Sequence, residues 1–79
     1  MIALKPENVV DVLFGNRLRQ LLDERNISQA HFADRIGVSR SRMNNYVAQR
    51  SEPDYATLIR IANTLDTTID FLLGKSEYQ

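Results

Sequence analysis

The sequence predicts a compact, all-α domain of five helices and no strand. Its 79 residues, of which 43% are hydrophobic and 25% are charged, have the size and composition of one globular domain. Apolar residues recur at the spacing of a helix face in successive segments, and capping residues or glycines separate these segments. Because such short helices are unstable alone, we expect the packing of their apolar faces to hold the domain together.

The first helix is predicted to begin near Pro6 and Glu7, which both suit a first helical turn, and to end near Asn26. Gly15 interrupts its apolar pattern, so residues 7–14 form either a separate turn or an extension of this helix. The residues expected to face the core are Val10, Leu13, Phe14, Leu18, Leu21 and Leu22.

Two short helices follow, joined by a tight turn. Ser28 is the predicted N-cap of the second helix, residues 29–36, and Gly37 suits the left-handed position that ends it. Ser39 is the predicted N-cap of the third helix, at about residues 40–48. The apolar residues expected to face the core are Ala30, Phe32, Ala33 and Ile36 in the second helix and Met43, Tyr46 and Val47 in the third.

The last two helices are also marked by capping residues. Asp54 is the predicted N-cap of the fourth helix, residues 55–65, whose apolar pattern is the most regular in the chain. Either Thr67 or Thr68 caps the fifth helix, which Gly74 ends. The residues expected to face the core are Leu58, Ile61, Ala62, Leu65, Ile69, Leu72 and Leu73.

Composition excludes several classes of function. The chain has no cysteine and one histidine, His31, so it cannot form a disulfide framework, a thiolate metal site or a site of several histidines. It shows no nucleophile with a histidine base, glycine-rich phosphate loop or metal-ligand spacing, so we expect neither an enzyme nor a cofactor. The start MIALKPENVV does not resemble a signal peptide, and no apolar run approaches the roughly 20 residues that span a bilayer. A cytoplasmic protein without a membrane partner is therefore expected.

Charge is unevenly distributed along the chain. The formal net charge is zero and the pI is about 6.5, which alone does not favour a nucleic-acid partner. Residues 35–51, however, contain Arg35, Arg40, Arg42 and Arg50 and no acidic residue. A positive patch of this kind orients a neutral protein on a polyanion while its non-specific affinity stays modest.

The third predicted helix has a polar face opposite its apolar stripe. A polar helix directly after a tight turn suits insertion into the major groove of double-stranded DNA. Arginine can donate two hydrogen bonds to guanine, and asparagine can pair with the edge of adenine. The predicted base-contacting residues are Arg40, Ser41, Arg42, Asn44 and Asn45.

A second set of residues suits contacts with DNA phosphates, which fix the register of a protein without selecting sequence. Gln29 begins the second helix, where free backbone N–H groups attract anions. The complete set of predicted phosphate-contacting residues is Gln29, Ser39, Arg50 and Ser51. A row of arginines also arises on a merely solvated helix face, but its position after the turn favours contact with DNA.

These motifs together resemble the Xre family of helix-turn-helix regulators, which share the lambda-repressor-like fold of phage repressors and Cro proteins. The resemblance covers about residues 13–74 and rests on FGNRLRQLLDERNISQ, Ala33, IGVS, RSRMNNY, the turn at Pro53 and LIRIANTLDTTIDFLLG. It implies a five-helix fold with the helix-turn-helix at the second and third helices. It also implies a bacterial or phage-encoded protein that binds palindromic operator DNA as a homodimer.

The resemblance assigns base contacts by position to Arg40, Ser41 and Asn45, and a phosphate contact to Gln29. It places Arg42 near the DNA backbone or a flanking base. Many family members carry an acidic residue and a glycine where this chain has Val47 and Gln49, so the family pattern does not define the conformation of the loop of residues 48–52.

The sequence leaves two functions open. The first is a sequence-specific transcriptional regulator, a repressor, with residues 13–74 as the DNA-binding domain and 75–79 as a tail. The alternative is an antitoxin or protein-interaction module of the same fold, which binds a toxin or another regulatory protein. Residues 1–12 form an N-terminal extension whose apolar positions suit either a dimer or partner surface or packing against the fifth helix: Ile2, Leu4, Val9, Val10 and Val12.

Overall fold

The computed structural model describes the backbone of residues 6–75 and the side chains of residues 14–75. Within this part of the chain there are five helices and no strand, so the predicted all-α fold is confirmed. The helices are α1 (Pro6–Glu24), α2 (Gln29–Ile36), α3 (Arg40–Val47), α4 (Tyr55–Thr64) and α5 (Ile69–Leu72). The third and fourth helices each end one residue before the predicted bound. No helix in this part is both long and apolar enough to cross a membrane.

Helix α1 is continuous through Gly15, so residues 6–14 extend the first helix and do not form a separate turn. The glycine is explained by close packing, because a Cβ atom there would lie 2.6 Å from the carbonyl oxygen of Val47. The division into residues 1–12, 13–74 and 75–79 stays a prediction. Residues 1–5 and 76–79, and the side chains of residues 6–13 that include Val10 and Leu13, lie outside the described residues.

Side chains cap the N-termini of four helices, as the sequence pattern predicts. The hydroxyl of Ser28 accepts a hydrogen bond from the backbone N–H of His31 at 3.0 Å, and this bond begins α2. Asp54 caps α4, and Thr68, not Thr67, caps α5. Ser39 caps α3 in the same way and is described with the site below.

All five helices end in the same backbone arrangement. A residue with positive φ follows the helix. The backbone N–H of the residue after it donates a hydrogen bond to the carbonyl oxygen of the residue five positions before the donor, near the end of the helix. In α2, for example, Gly37 has φ 79° and the N–H of Val38 bonds to the oxygen of Ala33 at 3.0 Å. The positive-φ residues are Asn26, Gly37, Gln49, Asp66 and Gly74.

The core lies where α1, α2 and α3 meet and continues between α4 and α5. The prediction for α5 was partly wrong, because Phe71 and Leu72 are buried whereas Ile69 and Leu73 are only half-buried. Ala30, expected to face the core, is likewise half-buried. The buried apolar residues are Phe14, Leu18, Leu21, Leu22, Phe32, Ala33, Ile36, Val38, Met43, Tyr46, Val47, Leu58, Ile61, Ala62, Leu65, Phe71 and Leu72.

Arg17 attaches the short helix α5 to α1. Its Nη1 atom donates a hydrogen bond to the carbonyl oxygen of Phe71 at 3.0 Å. Its guanidinium carbon lies 4.3 Å from the centroid of the Phe71 ring, within the range of a cation–π interaction. Because α5 has only four residues, it depends on such contacts from outside the helix.

We expect Arg17→Ala to lower the free energy of unfolding by about 1–2 kcal/mol, because it removes a charge-assisted hydrogen bond and a cation–π contact. Urea denaturation followed by circular dichroism measures this change. Arg19→Ala, which removes an exposed arginine from the same helix, is the matched control and should change stability by less than about 0.5 kcal/mol. Equal denaturation midpoints for the two variants would contradict a stabilising role for Arg17.

Candidate nucleic-acid interface

Helices α2 and α3 form a helix-turn-helix unit in which α3 also packs on α1. Gly37 makes the turn possible, since its φ of 79° is a conformation that residues with a side chain rarely adopt. The predicted inward stripe of α3 is confirmed, because Met43, Tyr46 and Val47 are all buried. Packing of this stripe fixes which face of α3 points away from the protein.

The outward side of α3 carries the predicted base-contacting residues. Arg40, Ser41, Arg42 and Asn44 are exposed, and Asn45 is half-buried. The helix contains no acidic residue. This surface can therefore offer hydrogen-bond donors and acceptors from a rigid helix.

Arg40 is held by an acidic residue of α2. Its Nη2 atom lies 2.9 Å from Oδ2 of Asp34, and its Nε atom lies 3.5 Å from Oδ1 of the same carboxylate. The hydrogen bond from Arg40 lowers the pKa of Asp34 below its ordinary value. The same hydrogen bond raises the pKa of Arg40, so both groups are charged at neutral pH.

Asn45 is also held by another residue of the predicted site. The Nε atom of Arg50, in the loop after α3, donates a hydrogen bond to Oδ1 of Asn45 at 3.0 Å. This bond occupies one lone pair of Oδ1, and the amide nitrogen of Asn45 keeps its two hydrogens as donors.

The predicted phosphate-contacting residues lie in three different places. Gln29 is the first residue of α2 and is half-buried. Ser39 caps α3, and its hydroxyl oxygen accepts a hydrogen bond from the N–H of Arg42 at 3.0 Å, which leaves the hydroxyl hydrogen available to donate. Arg50 and Ser51 are exposed in the loop after α3.

Gln49 adopts a backbone conformation that glycine favours. Its φ is 64°, and the N–H of Arg50 bonds to the carbonyl oxygen of Asn45 at 2.9 Å, which completes the helix end. The loop after α3 therefore has the same closing turn as the other helices, and its left-handed residue, like those after α1 and α4, is not glycine. This turn brings Arg50 back over Asn45.

The positive patch predicted for residues 35–51 is partly neutralised by its neighbours. Asp34 pairs with Arg40, as described above. Asp54 has a lowered pKa, mainly because it accepts hydrogen bonds from Thr57 and to a smaller extent because Arg42 is near. Neither acidic residue was predicted to be part of the site, because both lie just outside the segment that contains the arginines.

Among the described residues no group of three or more histidine, cysteine or acidic side chains could hold a metal ion. In the same residues every buried side-chain nitrogen or oxygen has a hydrogen-bond partner.

Two capped helices joined by a glycine turn, with a polar outer face on the second, define a helix-turn-helix protein. The sequence matches the helix-turn-helix family HTH_3 over residues 18–72, which is more than half of the chain. The chain belongs to this family, and the predicted Xre-type resemblance is confirmed.

The chain is similar to curated proteins of Bacillus subtilis. It is 36% identical over 61 residues to the uncharacterized HTH-type transcriptional regulator YqaE, covering 77% of this chain and 53% of that protein. It is 36% identical over 67 residues to the SPbeta prophage-derived uncharacterized HTH-type transcriptional regulator YonR, covering 85% and 62%. The HTH-type transcriptional regulator ImmR is 29% identical over 63 residues, covering 80% and 50%. The chain thus covers between 50% and 62% of the length of these relatives. No solved structure gives a significant match.

Proposed function

We propose that this chain is a DNA-binding transcriptional regulator, a repressor that binds a palindromic operator as a homodimer with α3 in the major groove. The observation that carries the proposal is the outer face of α3, which is exposed, polar and free of acidic residues directly after the helix-turn-helix turn. The names of the similar proteins, all HTH-type transcriptional regulators, support the same class of function.

In this proposal Arg40 contacts guanine and Asn45 contacts adenine, since each side chain matches the hydrogen-bonding edge of that base. Ser41, Arg42 and Asn44 contact neighbouring bases or the adjacent backbone. The proposed phosphate contacts are those of Gln29, Ser39, Arg50 and Ser51.

Selection of binding sites from random duplex DNA at roughly 150 mM salt tests this proposal. We expect a palindrome whose half-sites are separated by about one helical turn of DNA or a multiple of it. The reason is that the two α3 helices of a dimer must enter the major groove on the same side of the double helix. Arg40→Ala should reduce the preference for one base in each half-site by roughly 10- to 100-fold. Arg60→Ala, which removes an exposed arginine from α4, is the matched control and should keep the preference.

Absence of enrichment by a protein that circular dichroism shows to be folded would refute the regulator proposal. It would favour the alternative, an antitoxin or interaction module that binds a toxin or other regulatory protein.

One structural observation suits a protein contact of this kind. Tyr55 and Ile59, one turn apart on α4, are 82% and 46% exposed although both are large and apolar. A single half-site in place of a palindrome would contradict the homodimer.

A further inference from the structure

The pair between Asp34 and Arg40 leaves part of the arginine free. The carboxylate contacts Nε and Nη2, which form one edge of the planar guanidinium group. The hydrogens of Nη1, and the second hydrogen of Nη2, lie at the end of the side chain and can still be donated. Through this end an arginine can donate one hydrogen bond to O6 and another to N7 of the same guanine.

We propose that Asp34 is a positioning residue that determines specificity by orienting Arg40 toward guanine. The inference rests on the proposed function, because it assigns a role within DNA recognition to a residue of α2. A free arginine on a surface has many rotamers and loses this freedom when it binds. The pair with Asp34 restricts the side chain before binding, so less conformational entropy is lost in the complex.

The charge of Asp34 also affects binding to DNA of any sequence. Its side chain is 59% exposed and pairs with Arg40 of α3, so its negative charge repels the phosphates of any DNA that approaches this helix. Because this carboxylate neutralises Arg40, the arginine adds little to non-specific attraction. Asp34 therefore lowers affinity for non-specific DNA while it supports the contact with guanine.

A purely structural role for the pair is a weaker explanation. The two side chains are 68% and 59% exposed, and ion pairs this exposed contribute little to stability. Helices α2 and α3 are already held by their buried apolar residues and by the hydrogen bonds around Gly37. Loss of the pair should therefore leave the fold intact.

The test compares wild type, Asp34→Asn and the control Asp23→Asn, which removes one exposed carboxylate from α1. Affinity is measured for the selected site, for each single-base variant of it and for a non-specific duplex. We expect Asp34→Asn to lower the preference for guanine at one position per half-site by roughly two- to fivefold, with the other positions unchanged. We expect it also to raise non-specific affinity and to steepen its salt dependence. Asp23→Asn should change none of these quantities.

Three results would overturn the proposal. If Asp34→Asn raised affinity for the selected site at least as much as affinity for non-specific DNA, Asp34 would only compete with DNA for Arg40. A uniform loss at all positions, with a lower urea midpoint, would show a structural role. Persistence of the Asp34→Asn effect on base preference in an Arg40→Ala background would show that Asp34 does not act through Arg40. A wild-type protein without sequence preference would overturn the proposed function as well, so the two failures are distinguishable.

Discussion

Gly15→Ala is expected to lower the free energy of unfolding by about 1–3 kcal/mol, although alanine in an ordinary helix interior is about 1 kcal/mol more favourable than glycine. The added Cβ atom would overlap Cγ of Gln49 and would lie 2.6 Å from the carbonyl oxygen of Val47. The Gln49 side chain is exposed and can move away, but the carbonyl oxygen belongs to the end of α3. Because relief of this contact requires a shift of α1 relative to α3, the steric loss should exceed the gain in helix propensity.

Urea denaturation of three variants measures this loss. Asn16→Ala, at the exposed neighbouring position, is the matched control and should stabilise the domain by about 0.5 kcal/mol through helix propensity alone. Gly15→Ala combined with Gln49→Gly should recover part of the loss, because it removes the side-chain clash and the positive-φ strain of Gln49 but not the contact with Val47. A Gly15→Ala variant as stable as Asn16→Ala would contradict the close packing of α1 against α3.

The sequence predicted the features of the fold that depend on neighbouring residues in the chain. Ser28, Ser39 and Asp54 cap the helices to which they were assigned, because a cap is a contact between residues two or three positions apart. The inward stripe of α3 was also predictable, since helical spacing alone places Met43, Tyr46 and Val47 on one face. The outward position of Ser41 follows from the same spacing, whereas Arg40 was assigned to the site because a long side chain in the first turn can reach past the helix end.

The features that the sequence did not predict depend on tertiary contacts. The bond from Arg17 to Phe71 joins residues 54 positions apart, and no local pattern indicates it. The pairs of Asp34 with Arg40 and of Arg50 with Asn45 depend on how a turn folds back, which periodicity does not describe. The left-handed conformation of Gln49 was not predicted, because glycine and asparagine are the residues typical of it.

Arg50→Ala distinguishes two roles that the sequence and the structure suggest for the same side chain. If Arg50 contacts only a phosphate, the substitution should weaken binding to all sequences and reduce the salt slope by about one unit. The hydrogen bond from Arg50 to Asn45 predicts an additional effect, because loss of this bond frees the Asn45 amide to rotate. We therefore expect Arg50→Ala also to lower the preference for adenine at the position that Asn45 contacts.

A double-mutant cycle with Asn45→Ala separates the two roles. Asn45→Ala alone should remove about 1–3 kcal/mol of discrimination for each adenine contact, and a homodimer would make this contact in both half-sites. In the Asn45→Ala background, Arg50→Ala should still reduce the salt slope but should not alter base preference further. A coupling energy of about 0.5–1.5 kcal/mol per half-site is expected, which is the net contribution of one hydrogen bond. A coupling energy of zero, with the salt effect present, would leave Arg50 with a phosphate contact alone, because Asn45 would then select adenine without help from its neighbour.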